Sequence, residues 1–247
     1  MHNAALEDLG LSAQGWRYQR LPIPPDRFAA TVRALPGAGF RGINVTIPHK
    51  EAALALADEA TPTARAVGAA NTLTFDSGAI HAENSDVEGL LRALPPEHDP
   101  RGRTALVLGA GGAARAVLYA LLSAGARDVA VHNRTAARAE RMVQDLQGGR
   151  VVATPVPADL IVNATSVGLV GVKALPLPAD VLTAGSCVVD MVYSNTETAL
   201  LKAARGRGAR TVDGLEILVA QGAASLERWT GRSAPRDTMG RAARDTD

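Results

Sequence analysis

The sequence predicts an α/β protein in two parts, the second of them a doubly wound parallel sheet. Two observations predict the second part. From Arg103 onward, short apolar runs alternate regularly with helical segments: Thr104-Ala-Leu-Val-Leu, Val129-Ala-Val-His, Asp159-Leu-Ile-Val-Asn and Cys187-Val-Val-Asp. Runs of that length and composition are buried strands of a parallel sheet. The first run enters a helix through a glycine-rich turn, Gly109-Ala110-Gly111-Gly112-Ala113-Ala114. A third observation sets the first part apart, because before residues 86–100 the strands are irregularly spaced and one pair reads as a hairpin.

The elements follow in order. Residues 4–9 are helix-like. Trp16-Arg-Tyr-Gln-Arg-Leu and Gly42-Ile-Asn44-Val-Thr46-Ile read as strands, separated by a helix over 26–35. In the second of these, Val45 and Ile47 can face a core while Asn44 and Thr46 point the other way, and Pro48 stops strand pairing. Lys50 follows where the chain turns into Glu51-Ala-Ala-Leu-Ala-Leu-Ala, a strong helix former. Leu73-Thr-Phe and Ala79-Ile-His-Ala form a hairpin around Asp76-Ser-Gly78. The proline-rich stretch 95–100 is a surface connection, residues 214–229 an amphipathic helix, and 241–247 a frayed end.

Composition excludes several function classes. With 47% hydrophobic and 21% charged residues, the 247-residue chain is ordinary for a globular protein. Lys plus Arg number 26 against 25 Asp plus Glu, so no global field attracts nucleic acid or an anionic membrane. No apolar run approaches membrane-spanning length, and no signal segment is visible. Cys187 is the single cysteine, set in an apolar strand as an inert thiol. The five histidines show no ligand spacing, so no metal site is expected. Together these predict a cytoplasmic protein.

The glycine turn carries chemistry. Gly109 permits the tight turn, Gly111 lets the backbone approach a diphosphate, and Ala114 allows close packing of helix on strand. N–H groups at the helix start then face the anion. This is a Rossmann-type dinucleotide site. The next strand ends not in the Asp or Glu of an NAD site but in Asn133-Arg134-Thr135, with Arg138 one helical turn later. Arginines at a helix N-terminus are electrostatically misplaced unless an anion neutralises them. Arg134 and Arg138 therefore predict a 2′-phosphate, with Thr135 as a further donor, and NADP(H) as the cofactor. Thr165 and Ser166, in Asn163-Ala-Thr-Ser, line the same sheet edge, with Met191 and Gly214 nearby.

A lysine at a strand-to-helix junction can donate a proton if its pKa is lowered, and an Asp close by would favour the ammonium while fixing its geometry. Asp86, in Asn84-Ser-Asp86, and Asn71, in Ala70-Asn71-Thr, supply polar groups just before the nucleotide domain. Taken singly, Asn71 reads as a turn residue and Asp86 as an N-cap. With Lys50 and an NADP domain they form a catalytic set.

These motifs resemble shikimate dehydrogenase along nearly the whole chain: Asn44-Val-Thr46-Ile-Pro-x-Lys50, Ala70-Asn71-Thr72, Asn84-x-Asp86-x-x-Gly89, Gly109-Ala-Gly-Gly-Ala, Asn133-Arg134-Thr135 and Asn163-Ala-Thr-Ser-x-Gly168. Asp213-Gly214-Leu-x-x-Leu-Val-x-Gln221-Gly-Ala and Trp229-Thr-Gly231 complete the match. The resemblance implies NADPH-dependent reduction of 3-dehydroshikimate to shikimate, with Lys50 and Asp86 as the catalytic pair. It places Asn44, Thr46, Asn71 and Gln221 on the substrate, and Tyr193 close to its carboxylate. It also implies a substrate domain over 1–87 completed by 215–247, a Rossmann domain over 88–214, and a C-terminal helix returning to the first domain. The expected assembly is a monomer or homodimer.

One departure bears on the site. The family begins with a strand and a Ser-x-Ser-x-Ser-Pro-x-Met-His-Asn segment whose serines bind the substrate carboxylate, and this chain starts at Met1-His2-Asn3, inside it. The expected explanation is a start set too late, rather than a chain that truly lacks these elements, and the chain as given is expected to hold its substrate loosely. The rival readings are a quinate/shikimate or aminoshikimate-type dehydrogenase, and a catalytically weakened NADP-binding regulatory module. Arg134 opposes an NAD-preferring quinate enzyme, and joint retention of Lys50, Asp86, Asn71 and Gln221 opposes the module.

Overall fold

The computed structural model describes residues 1–168, 174–193 and 196–245. The chain divides into two units, Met1–Glu88 with Val219–Thr246, and Gly89–Leu218.

The first unit opens with α1 (His2–Asp8). Residues 16–20, expected as a strand, make no ladder. The Asn3 side chain holds this segment instead: its Nδ2 donates to Tyr18 O at 2.9 Å and its Oδ1 accepts Tyr18 N at 2.7 Å. Those backbone groups are satisfied without a neighbouring strand. After a 3₁₀ turn at Pro25–Arg27 comes α2 (Phe28–Ala34). β1 (Gly42–Asn44) is shorter than its apolar alternation suggests, because the chain bends at once into a turn in which His49 N donates to Thr46 O.

Next come α3 (Lys50–Leu56), β2 (Glu59–Ala60) and α4 (Pro62–Val67). Thr61 caps α4 by accepting Ala64 N, and Gly68, at φ 75°, ends it. β3 (Thr72–Asp76) and β4 (Ala79–Glu83) form the expected hairpin, and α5 (Ser85–Ala93) follows. Ser77 and Gly78 both have positive φ, as a two-residue hairpin turn requires. Among the described residues the sheet order is β1-β3-β4-β2. Phe28, Val32, Ala53, Leu73, Phe75 and Ile80 form its core.

The second unit contains β5 (Thr104–Leu108), α6 (Gly112–Ser123), β6 (Asp128–His132), α7 (Ala136–Asp145) and β7 (Arg150–Val151). β8 (Leu160–Asn163), β9 (Cys187–Asp190), α8 (Ala199–Gly206) and β10 (Arg210–Val212) complete it. The order β10-β9-β8-β5-β6-β7 is parallel throughout. Strand order reverses beside β5, where β6 lies on one side and β8 on the other. The crevice at the carboxyl ends there is the ligand position of such sheets. Cys187 is buried, and burial pushes its thiol up to about 11. No described helix is long and apolar enough to cross a membrane.

α9 (Gly214–Thr230) leaves the second unit and enters the first. α10 (Arg236–Arg244) follows, where the sequence suggested a frayed end from 241. Fully buried Met239 anchors it in a cluster with Ala5, Leu6, Leu11, Val219, Ala223 and Leu226. Thr238 Oγ1 donates to Asp8 Oδ2 at 2.6 Å. Residues 246–247 of that expected frayed end lie outside the described residues.

Candidate active site

Lys50 is the first residue of α3, and its position is fixed from both sides. Ahead of it, the His49 ring stacks on Phe28 with centroids 4.5 Å apart, and His49 Nε2 meets Ile23 O at 2.8 Å. Behind it, Lys50 O accepts Ala70 N at 2.9 Å. Its Nζ reaches Asp86 Oδ2 at 2.7 Å, and both side chains keep a small exposed fraction, 22% and 14%. The pair is thus reachable by a ligand yet largely shielded from water.

Asp86 is not the N-cap suggested by sequence. It lies in the first turn of α5, and Asn84 Oδ1 accepts the Asp86 N–H at 3.2 Å. Its carboxylate is left to face Lys50 and Asn71. Asn71 Nδ2 donates to Asp86 Oδ1 at 2.8 Å, so the two oxygens are divided between the ammonium and the carboxamide. Asn71 is no exposed turn residue, being 3% exposed, and its Oδ1 accepts Ser85 N at 2.7 Å. Gln221, on α9, offers Oε1 to Asn71 Nδ2 at 3.5 Å and to Ser85 Oγ at 3.2 Å.

Asn44, at the end of β1, accepts from Tyr18 Oη at 3.0 Å and donates to Ser225 Oγ at 2.8 Å. Thr46 sits exposed on the turn before α3. Lys50, Asp86, Asn71, Asn44 and Gln221 thus belong to one connected polar network inside the first unit. Sequence inspection missed its buried hydroxyls, Thr72, Ser85 and Ser225. Thr72 belongs to the Ala70-Asn71-Thr72 motif and Ser85 lies between Asn84 and Asp86, so both had a local signal. Ser225 carries no local signal.

The predicted cofactor residues cluster at the carboxyl edge of the second unit's sheet. Gly109 has φ 111°, and a Cβ there would come within 2.9 Å of Ala164 O, so only glycine fits. Around Gly111 and Gly112 a Cβ would meet nothing within 4 Å, leaving an open cradle at the start of α6, where Ala113 also lies. Ala110 links β5 to this cradle. Asn133 Nδ2 donates to Thr135 O at 2.8 Å, shaping the bend after β6. Arg134, Thr135 and Arg138 are exposed there, and no described carboxylate pairs with either arginine. A glycine cradle beside two unpaired guanidinium groups fits a phosphate-rich dinucleotide.

Thr165 donates from Oγ1 to Asn163 Oδ1 at 2.7 Å, while Ser166 is exposed. Asn163 Nδ2 in turn donates to Asp190 Oδ1 at 2.9 Å. Asp190 was overlooked in the sequence, although it ends β9 in register with Asn163. It is fully buried, and burial raises its carboxyl pKa against the opposing pull of Thr198 Oγ1, Val192 N and Asn163. Met191 and Tyr193 follow on the next loop, with Tyr193 60% exposed. Gly214 opens α9, and a Cβ there would overlap Val192 O.

Known proteins resemble the chain over nearly its whole length. Residues 1–73 match the family model described as shikimate dehydrogenase substrate binding domain. Residues 96–166 match shikimate / quinate 5-dehydrogenase, and 214–244 match shikimate 5'-dehydrogenase C-terminal domain. A shikimate dehydrogenase (NADP(+)) of Methanopyrus kandleri is 41% identical, over 97% of this chain and 87% of that relative. One from Methylobacterium radiotolerans is 49% identical, over 87% and 80%.

Among solved structures, shikimate 5-dehydrogenase of Thermus thermophilus in complex with NADP(H) and shikimate has TM-score 0.91 at 39% identity, covering 98% of this chain and 92% of that one. A 5-ketofructose reductase of a Gluconobacter strain also reaches 0.91, at 31% identity, covering 98% of this chain and 90% of its own. The shared backbone therefore serves more than one substrate, and the side chains of the site must choose. The sequence identity and the ordered motifs together decide the family: the chain belongs to the shikimate dehydrogenases.

Proposed function

We propose that this chain catalyses the reversible NADP-dependent reduction of 3-dehydroshikimate to shikimate, as its relatives' names indicate. The observation that carries the mechanism is the Lys50–Asp86 pair at 2.7 Å, with Asn71 bracing the second carboxylate oxygen. NADPH, when bound, would supply the hydride for the carbonyl carbon. Lys50 donates a proton to the carbonyl oxygen as negative charge builds on it, and Asp86 holds the ammonium in place. Asn44, Thr46, Asn71, Gln221 and Tyr193 contact the substrate.

The unit Met1–Glu88 with Val219–Thr246 is then the substrate domain, and Gly89–Leu218 the cofactor domain. Gly109, Ala110, Gly111, Gly112 and Ala113 hold the diphosphate. Asn133, Arg134, Thr135 and Arg138 take the 2′-phosphoadenosine end, and Thr165, Ser166, Met191 and Gly214 border the nicotinamide. The enzyme works in the cytoplasm as a monomer or homodimer, in keeping with its single buried thiol.

Steady-state assays of shikimate and quinate, each with NADP and NAD, test the assignment, and turnover is expected with shikimate and NADP. Replacing Lys50 by Ala should lower kcat roughly 10²–10⁴-fold, the usual contribution of positioned proton transfer, and change substrate KM far less. Near-wild-type kcat in Lys50→Ala would remove this lysine from the chemistry.

A further inference from the structure

A carboxamide keeps its shape when turned over but exchanges donor for acceptor, so a site that reads substrate hydroxyls must fix which end carries the N–H groups. Asn71 is fixed from both ends. Ser85 N, which can only donate, faces its Oδ1, and the Asp86 carboxylate, which accepts, faces its Nδ2. The Gln221 carboxamide faces Asn71 Nδ2 with its Oε1, at a longer 3.5 Å. Ser85 Oγ lies 3.1 Å from Asn71 Oδ1 and 3.2 Å from Gln221 Oε1. Both are carbonyl oxygens that accept only, so the single Ser85 hydroxyl proton serves one of them.

Ser85 then has lone pairs for Thr72 Oγ1, 3.1 Å away. Thr72 Oγ1 meets Ser225 Oγ at 2.8 Å, and Ser225 Oγ accepts Asn44 Nδ2 at 2.8 Å. The Asn44 amide is itself oriented, because its Nδ2 also faces the carbonyl Asn71 O and its Oδ1 accepts from Tyr18. One proton arrangement runs from Tyr18 and Asn44 through Ser225, Thr72 and Ser85 to the carboxamide oxygens, with Asn71 Oδ1, 3.2 Å from Thr72 Oγ1, as the other acceptor open to Thr72. Ser225 Oγ also lies 3.1 Å from Gln221 O on its own helix, an acceptor that competes with Thr72 Oγ1 for the single Ser225 proton. Thr72, Ser85 and Ser225 are 1%, 6% and 0% exposed, so water is a poor substitute for a missing member.

We propose that Ser85 and Ser225 are positioning residues that, through Thr72, lock the Gln221 carboxamide with its Nε2 as the donor end for a substrate hydroxyl. The proposal rests on the substrate reading above. With Ser85→Ala, shikimate KM should rise roughly five- to tenfold, the worth of one neutral hydrogen bond, while kcat and the KM for NADP stay within about twofold. Lys50, Asp86 and Asn71 keep their mutual bonds in that variant, which is why kcat is spared. Ser85→Thr, which keeps the hydroxyl, should restore KM. Ser225→Cys, nearly isosteric but a weak hydrogen-bonding partner, should shift KM in the same direction by less.

A second readout does not depend on turnover: ¹⁵N–¹H spectra of the Gln221 side chain, whose amide hydrogens should exchange faster with solvent in Ser85→Ala than in wild type or Ser85→Thr. Unchanged KM and unchanged exchange in Ser85→Ala would overturn the proposal, as would failure of Ser85→Thr to restore both. Wild-type protein that does not turn over shikimate would refute the substrate reading instead, and the exchange rates would then decide the positioning role alone.

Discussion

Arg134 and Arg138 sit at the start of α7, where the helix dipole is positive and guanidinium groups are unfavourable. No described carboxylate relieves them, so an anionic ligand is the natural counter-charge. Charge-assisted bonds to a 2′-phosphate contribute about 1.5–3 kcal/mol each. Arg134→Ala should therefore weaken NADPH roughly ten- to hundredfold in a fluorescence titration and leave NADH nearly unchanged. Equal losses for the two cofactors would contradict the 2′-phosphate assignment. Such residues are legible in sequence because they break a rule: a cation at a helix start, or a lysine and asparagines at the ends of apolar strands. Ser225 breaks none. It reads as one more small residue on α9, and its role exists only because the fold sets it beside Thr72, 153 positions away in sequence.

At the scale of elements, parallel strands such as β5, β8 and β9 were plain from their apolar runs. β7 and β10, of two and three residues, lack the length for any period to show. The segment 16–20 has strand-like composition, but strandness needs a partner, and here Asn3 supplies the bonds instead. α10 was hidden for the opposite reason. Arg236-Asp-Thr-Met-Gly-Arg-Ala-Ala-Arg looks like solvated tail, and a single methionine carries most of its burial. That concentration makes a sharp prediction. Met239→Ala should destabilise the protein by about 2–5 kcal/mol, the range for emptying a buried site of that size. A change below about 0.5 kcal/mol in urea unfolding would mean that α10 is not docked through Met239.

For the whole molecule, a formal charge of +1 leaves little global repulsion, so acid stability is set by individual buried groups. His2 is the largest of these. It is 5% exposed and stacks on Tyr18 with ring centroids 4.0 Å apart. Burial holds its pKa at about 4, against 6.5 for a free imidazole. Below pH 6.5 the unfolded chain takes up a proton that the folded chain refuses, so stability falls as pH drops, and the loss is complete below about 4. The full effect is on the order of 3 kcal/mol.

Asp190, its pKa raised by burial, acts with the opposite sign, since folding favours its protonation as pH falls. Asp159 is held low by the Thr104 N–H and hydroxyl, so its contribution is lost only at more acid pH. Urea unfolding between pH 7.5 and 4.5 should therefore show a downward slope in wild type that largely disappears in His2→Phe, which keeps a flat ring in the stack. A wild-type profile without that slope, or an equal slope in His2→Phe, would mean that the imidazole is not held neutral in its buried stack on Tyr18.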